Sequence, residues 1–246
     1  MKKLVKNSLL GLTLLPIAAQ AAIGIDSMIQ FTENHKAEFT ITNSSDQRQF
    51  IHVGITQLDV KDGALIDVPY TRENIDDWTL TVRPARTVVD PNLSKKFQVN
   101  YEPKVAKKDQ AYQLSFIPTP YFSEGEAQAN SIKVAVGFAP VVIVPAEKDA
   151  PIKYQARYTK DGLWFENHGE TYLRAVLDAC PKGAGVEARK LCSSVVNVLS
   201  GRHLTIPLTS EMTKASELKV DLSTYNYDFK HEFSLKPGQS STNEAS

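Results

Sequence analysis

Ser131-Ile-Lys-Val-Ala-Val-Gly-Phe-Ala-Pro-Val-Val-Ile-Val-Pro145 is the longest apolar, strand-like run in the chain beyond residue 21. Its first half has period two. Ile132, Val134, Val136 and Phe138 share one parity, and Lys133, Ala135, Gly137 and Ala139 the other. That is the period of a strand, whose successive side chains point to opposite faces. One face is large and apolar and the other is small. Pro140 has no amide hydrogen, so within a sheet it belongs on an edge or at a bulge. Two readings of the run follow. In one it is a core strand whose large residues fill the interior of a sandwich. In the other it is an edge strand that offers apolar side chains and backbone hydrogen bonds to a partner. An uncovered edge is an aggregation hazard that a protein must manage, and supplying it to another sheet is strand addition.

The same alternation recurs along the chain. Ala37, Phe39 and Ile41 alternate with Lys36, Glu38, Thr40 and Thr42 before the turn-forming Asn43-Ser44-Ser45-Asp46. Phe97, Val99 and Tyr101 repeat the pattern, as do Tyr112, Leu114 and Phe116, then Leu204, Ile206 and Leu208, then Leu218, Val220 and Leu222. Asp62-Gly63, Asp90-Pro91-Asn92, Asp161-Gly162 and Asn167-His168-Gly169 fall between such runs, and these residue types tolerate turn dihedrals. Short strands punctuated by turns predict antiparallel sandwiches. Helical signal is thin, with one helical turn expected around Gly185 to Leu191. The polar, proline-flanked Pro145-Ala-Glu-Lys-Asp-Ala-Pro151 separates an apolar strand from a new strand pattern at Ile152 to Tyr158, which marks a domain boundary. The predicted organisation is a leader over 1–21, a first domain over 22–145 that ends in the apolar run, a linker over 146–151 and a second domain over 152–236. The Ser-, Gly-, Asn- and Glu-rich residues 237–246 form a flexible tail.

Met1-Lys-Lys-Leu-Val-Lys6 places positive charge ahead of an apolar run from Leu9 to Ala19, followed by Ala19-Gln20-Ala21. This is the pattern of a signal peptide cleaved after Ala21. The run is shorter than the roughly 20 apolar residues a bilayer requires, and Thr13 and Pro16 interrupt it, so no membrane insertion is expected. The export route predicts the periplasm. Cleavage removes Lys2, Lys3 and Lys6 from 28 basic residues, leaving 25 against 28 acidic ones. Such a balance carries no basic face for nucleic acid or anionic lipid. Cys180 and Cys192, the two cysteines of the chain, are expected to form one disulfide in an oxidising compartment.

The residues that carry chemistry are sparse. His35, His52, His168, His203 and His231 are scattered, and none has a partner at metal-ligand spacing. No G-x-S-x-G elbow, phosphate-binding glycine loop or free catalytic cysteine is present. Carboxylate pairs such as Asp76-Asp77 lie in polar loops and read as solvated surface. The expectation is a binding protein, not an enzyme, with no catalytic residues, no metal and no cofactor.

Several segments resemble the periplasmic chaperones of the chaperone-usher pilus pathway. Trp78-Thr-Leu-Thr-Val-Arg-Pro-Ala-Arg-Thr-Val-Val-Asp-Pro91 is similar to that family's strand entering a proline-containing stretch. Phe97-Gln-Val-Asn-Tyr101 follows where the family has its next strand, and Tyr112-Gln-Leu-Ser-Phe-Ile-Pro118 resembles the strand before the donor strand. Ile132 to Pro145 then matches the donor strand in position and pattern. Phe165-Glu-Asn-His-Gly-Glu-Thr-Tyr-Leu-Arg174 looks like the family's Asn-containing turn and following strand. The Cys180 to Cys192 loop is similar to the second-domain disulfide of the alternative, CFA/I-like and common-pilus-like branch.

The resemblance implies an all-β fold of two Ig-like β-sandwich domains arranged at an angle. It implies a periplasmic chaperone that holds pilus or fimbrial subunits by lending Ile132, Val134, Val136 and Phe138, and that delivers them to the outer-membrane usher. When free, its donor strand allows self-association. In the best-known branch an Arg in the first strand and a Lys in the donor strand anchor the subunit carboxylate, and here those places hold Ser27 and Pro140. Arg83, Arg86, Lys133 and Arg174 are the candidate replacements. The competing expectation is a structural or adhesive fimbrial surface subunit. A third class, a β-sandwich hydrolase or small-ligand binder, would need histidines or carboxylates brought together by folding.

Overall fold

The computed structural model describes residues 22–103, 105–106, 108–122, 136–148 and 151–244. Alternating side chains give strands almost throughout. In the first half these are β1 (Ile23–Ile25), β2 (Ile29–Phe31), β3 (Lys36–Asn43), β4 (Gln49–Lys61), β5 (Ala64–Pro69), β6 (Leu80–Arg83), β7 (Arg86–Val89), β8 (Ser94–Tyr101), β9 (Gln110–Pro120) and β10 (Val141–Val144). A 3-10 helix over Arg72–Asp77 lies between β5 and β6. In the second half follow β11 (Lys153–Thr159), β12 (Gly162–Asn167), β13 (Leu173–Asp178), α1 (Val186–Cys192), β14 (Ser193–Val198), β15 (His203–Ile206), α2 (Ser210–Lys214), β16 (Leu218–Ser223), β17 (Lys230–Leu235) and β18 (Ser240–Glu244).

Four sheets result, two in each half. The first half stacks β1-β3-β8-β6 on β2-β10-β9-β4-β5, with β7 paired to β4. The second stacks β15-β12-β11-β18 on β14-β13-β16-β17. The parity seen in sequence decides which side chains lie between the sheets. Phe39 and Ile41, Phe97 and Val99, and Tyr112, Leu114 and Phe116 are buried in one cluster with Val142 and Val144. Phe116 presents its ring edge-on to Phe39 at 5.8 Å and Phe97 at 5.1 Å, an arrangement aromatic quadrupoles favour. A separate cluster holds Tyr154, Phe165, Leu177, Leu218, Val220 and Leu222, with Met212 of α2. The chain is therefore an all-β protein of two Ig-like sandwiches, each with its own apolar core.

Turns fall where their residues allow. Asp62 and Gly63 take φ of 52° and 76° between β4 and β5, a two-residue loop whose twist suits antiparallel strands. Cys180 and Cys192 are joined in a disulfide that encloses α1. The expectation of a flexible tail fails at its end, because residues 240–244 form β18 along the edge of β11. Backbone pairing needs no apolar side chain, and Gly238, at φ 87°, turns the chain back while the Gln239 side-chain Oε1 accepts from the Lys236 amide. The leader lies outside the described residues. No helix among the described residues is long and apolar enough to cross a membrane.

Candidate functional site

The apolar run that opened the sequence reading splits into two parts. Its C-terminal part, β10, is flanked on both sides, with β9 antiparallel on one edge and β2 parallel on the other. Val142, Ile143 and Val144 are buried. For this part the core-strand reading holds. The preceding residues differ. Phe138 exchanges backbone hydrogen bonds with Phe116 of β9 at 2.8 and 3.1 Å, and the Pro140 carbonyl accepts from the Leu114 amide at 2.9 Å. Pro140, opposite Leu114, has no amide hydrogen to return, so the ladder loses one bond there. Toward the other edge, pairing with β2 begins only where the Val141 amide donates to the Met28 carbonyl. Among the described residues, the Gly137 and Ala139 backbones, which alternate away from β9, meet no strand.

The residues of β9 explain where the ladder stops. Leu114 and Phe116 donate toward residues 140 and 138, so two residues further Pro118 occupies the same kind of position, opposite Val136. It has no hydrogen to give, and Pro120 repeats the omission. Val136 is 51% exposed, whereas Phe138 is half-buried and packs against the core of the first sandwich. Gly137 is required by close approach, since a Cβ there would lie 2.6 Å from the Phe116 carbonyl oxygen. Ile132, Lys133 and Val134 lie outside the described residues.

Among the described residues, the candidate anchors Arg83, Arg86 and Arg174 are not gathered in one place. Arg83 ends β6 and Arg86 begins β7, on either side of Pro84. Arg86 pairs with His52. That is nine residues along β4 from Lys61, or about 30 Å at a strand rise of roughly 3.3 Å per residue. Arg174 is instead on β13, two residues after Tyr172, and borders a shallow depression shared with Asp221, Lys230 and Glu232. Tyr172 belongs to the junction of the sandwiches. Its ring lies 5.3 Å from Phe31, which stacks on Tyr225 at 4.6 Å. Asp109 ties the same junction, accepting from the amides of Ala146 and Tyr172 at 2.6 and 2.7 Å. Of the described candidates, Arg174 is the one beside the junction. Ser27 uses its hydroxyl on the Ile29 backbone, as a donor at 2.6 Å and an acceptor at 3.2 Å.

Folding does bring together three groups that sequence reading left apart. Glu166 of β12 stands opposite His203 of β15, and His168 follows two residues after Glu166. One ligand-type atom from each lies within 4.8 Å of the other two. The signal was faint but present, since Glu166 and His168 share the parity that sends both side chains to one face of a strand.

The family described as CS5 fimbrial protein N-terminal domain matches residues 25–145. No curated protein sequence matches the chain. Among solved structures, the crystal structure of the class 5 fimbriae chaperone CfaA shares 12% identity with a TM-score of 0.54, covering 88% of this chain and 99% of CfaA. The chaperone-tip adhesin complex of CFA/I fimbriae biogenesis aligns at 12% identity and TM-score 0.53, over 88% and 99% of the two chains. The CsuC-CsuE chaperone-tip adhesion subunit complex of archaic Csu pili from Acinetobacter baumannii aligns at 9% identity and TM-score 0.52, over 89% and 100%. Residues 25–145 thus resemble the CS5 fimbrial protein N-terminal domain, and the chain shares the two-sandwich fold of these solved fimbrial chaperones.

Proposed function

We propose that the protein is a periplasmic chaperone that binds pilus or fimbrial subunits through the edge preceding β10 and passes them to an outer-membrane usher. The first domain is taken as 22–145 and the second as 152–236, joined by 146–151. The observation that carries this reading is the half-made pairing of residues 138–140, held to β9 on one side and open on the other among the described residues. A subunit lacking one strand would find there backbone groups and the exposed Val136; Ile132 and Val134 are proposed to extend this apolar row, with the part of Phe138 not packed on the first core at its end. Each buried Val or Ile contributes about 1.5–3 kcal/mol, offset in part by the cost of association. The chaperones in the CFA/I and Csu complexes are described with tip subunits, which supports subunits as the partner class. Arg174 is the basic side chain best placed to meet a subunit carboxylate at the junction. The same edge in the free protein offers itself to a second copy.

Val136→Asp tests the reading. The side chain is half exposed, so a charge costs the free fold little, yet it would enter an apolar groove in the complex. Co-expression with fimbrial subunits and pull-down should show capture reduced at least tenfold while the free protein keeps its circular dichroism. Undiminished capture by the variant would refute the edge assignment.

A second reading, a structural or adhesive subunit of the fibre itself, is favoured by the description of the matching family as a fimbrial protein. Cell fractionation separates the two. The chaperone stays in the soluble periplasmic pool, and a subunit appears in sheared fibres.

A further inference from the structure

We propose that Glu166, His168 and His203 form a binding site for a divalent transition-metal cation of the zinc class, where the second sandwich meets the β4–β5 hairpin of the first. Two imidazoles and one carboxylate are the donor set that such ions take in three-ligand sites with an open position. The three ligand atoms already lie within 4.8 Å of one another, and the His168 Nε2 to Glu166 Oε2 separation is 2.9 Å. Zinc bonds of about 2.0–2.2 Å set tetrahedral ligand atoms about 3.4 Å apart, so rotamer adjustments on the order of 1 Å complete the triangle.

The surroundings hold the ligands in place. The Trp164 indole N–H donates to Glu166 Oε1 at 2.8 Å, leaving Oε2 for the site, and such orienting partners are the usual support of metal ligands. This indole bond is also the main cause holding the Glu166 carboxyl below its ordinary range, with burial opposing it and the two imidazoles assisting. The backbones are pinned as well. The His203 amide donates to the Gly63 carbonyl at 3.0 Å and the His168 amide to the Lys153 carbonyl at 2.9 Å. The nearby Arg202 guanidinium is turned to the Gly63 carbonyl, where its Nη1 donates at 2.6 Å. An ion held by His203 would therefore sit beside the contact between the two sandwiches.

Tag-free exported protein, stripped with chelator, is titrated with Zn²⁺ by calorimetry and with Co²⁺ by visible absorption. One ion per chain is expected, with low-coordinate Co²⁺ bands that Zn²⁺ displaces. His168→Ala, at a side chain 47% exposed, is expected to weaken binding at least tenfold without unfolding the protein, as circular dichroism will show. Trp164→Phe is expected to weaken it several-fold by freeing the carboxylate. Absence of saturable binding at one ion per chain overturns the proposal. So does binding that persists unchanged in the His168→Ala/His203→Ala double variant.

Discussion

Two asparagines do for each sandwich what no apolar residue can. Asn167 is fully buried, and its Nδ2 donates to the carbonyls of Thr171, Val198 and Leu199 while its Oδ1 accepts from the Gly169 amide. Asn43 holds the first sandwich in the same way, through the Gln47 and Val89 carbonyls and the Ser45 amide and hydroxyl. Removing one such side chain strands several buried polar groups, each costing about 1–3 kcal/mol. Asn167→Ala is therefore expected to lower the unfolding free energy by about 3 kcal/mol in denaturant titration, and a loss under 1 kcal/mol would contradict this role. Buried tyrosines set a different limit. Burial raises the Tyr112 phenol well above its ordinary value despite the 2.7 Å hydrogen bond with Thr79, and burial followed by the Asp109 charge does the same to Tyr172. A group whose folded pKa is raised stabilises fully below its unfolded pKa, about 10 for tyrosine, and loses that contribution as pH climbs beyond it. Stability should consequently decline above about pH 10, and ultraviolet titration should show two phenols that ionise only as the protein unfolds.

At the scale of elements, the alternation of β3, β8, β9 and β16 was legible because one face of each is buried and the other wet. The edge assignment was legible only in part. Apolar parity marked residues 132–138, yet the same parity continues into β10, which pairs on both edges. What separates the two parts is the partner strand, since Pro118 of β9 withholds a donor that only three-dimensional register brings opposite Val136. β18 escaped because its side chains are polar and its stability resides in the backbone. The Glu166–His168–His203 cluster escaped because its third member arrives from a strand 35 residues away that pairs across the sheet. The disulfide element shows how weak local signals are completed. α1 has seven residues, no side-chain cap and one buried residue, Cys192, too little for a helix to stand alone in water. It is held by the Cys180–Cys192 bond, the Arg189–Asp178 ion pair and the Thr209 hydroxyl donating to the Leu191 carbonyl. Replacing both cysteines by serine should cost the second sandwich about 2–3 kcal/mol, with hydrogen exchange accelerating first across residues 186–192.

For the molecule as a whole, the question is whether two sandwiches with separate cores act as one body, and the seam between them offers a test in two glycines. Gly63 at φ 76° and Gly201 at φ 74° both adopt the left-handed conformation, and alanine pays a similar penalty of about 1–2 kcal/mol at either. Their surroundings differ. A Cβ on Gly201 meets Val60 of β4 at 3.5 Å, an ordinary contact, whereas one on Gly63 would overlap the His203 ring. Gly63→Ala must therefore also displace His203, whose amide, with the Arg202 guanidinium, is bound to the Gly63 carbonyl. With backbone strain matched, the excess cost of Gly63→Ala over Gly201→Ala measures the seam. An excess of about 1–2 kcal/mol, together with a larger radius of gyration in solution scattering for the Gly63 variant, is the result expected of a coupled pair. Equal costs and equal dimensions would mean that the junction rests on the aromatic contacts of Phe31 with Tyr172 and Tyr225 and on the Asp109 hydrogen bonds, without the Gly63 contact. A rigid junction matters for the proposed activity, because a subunit reaching from the edge near Val136 to Arg174 across the junction requires both surfaces to be presented in one fixed relation.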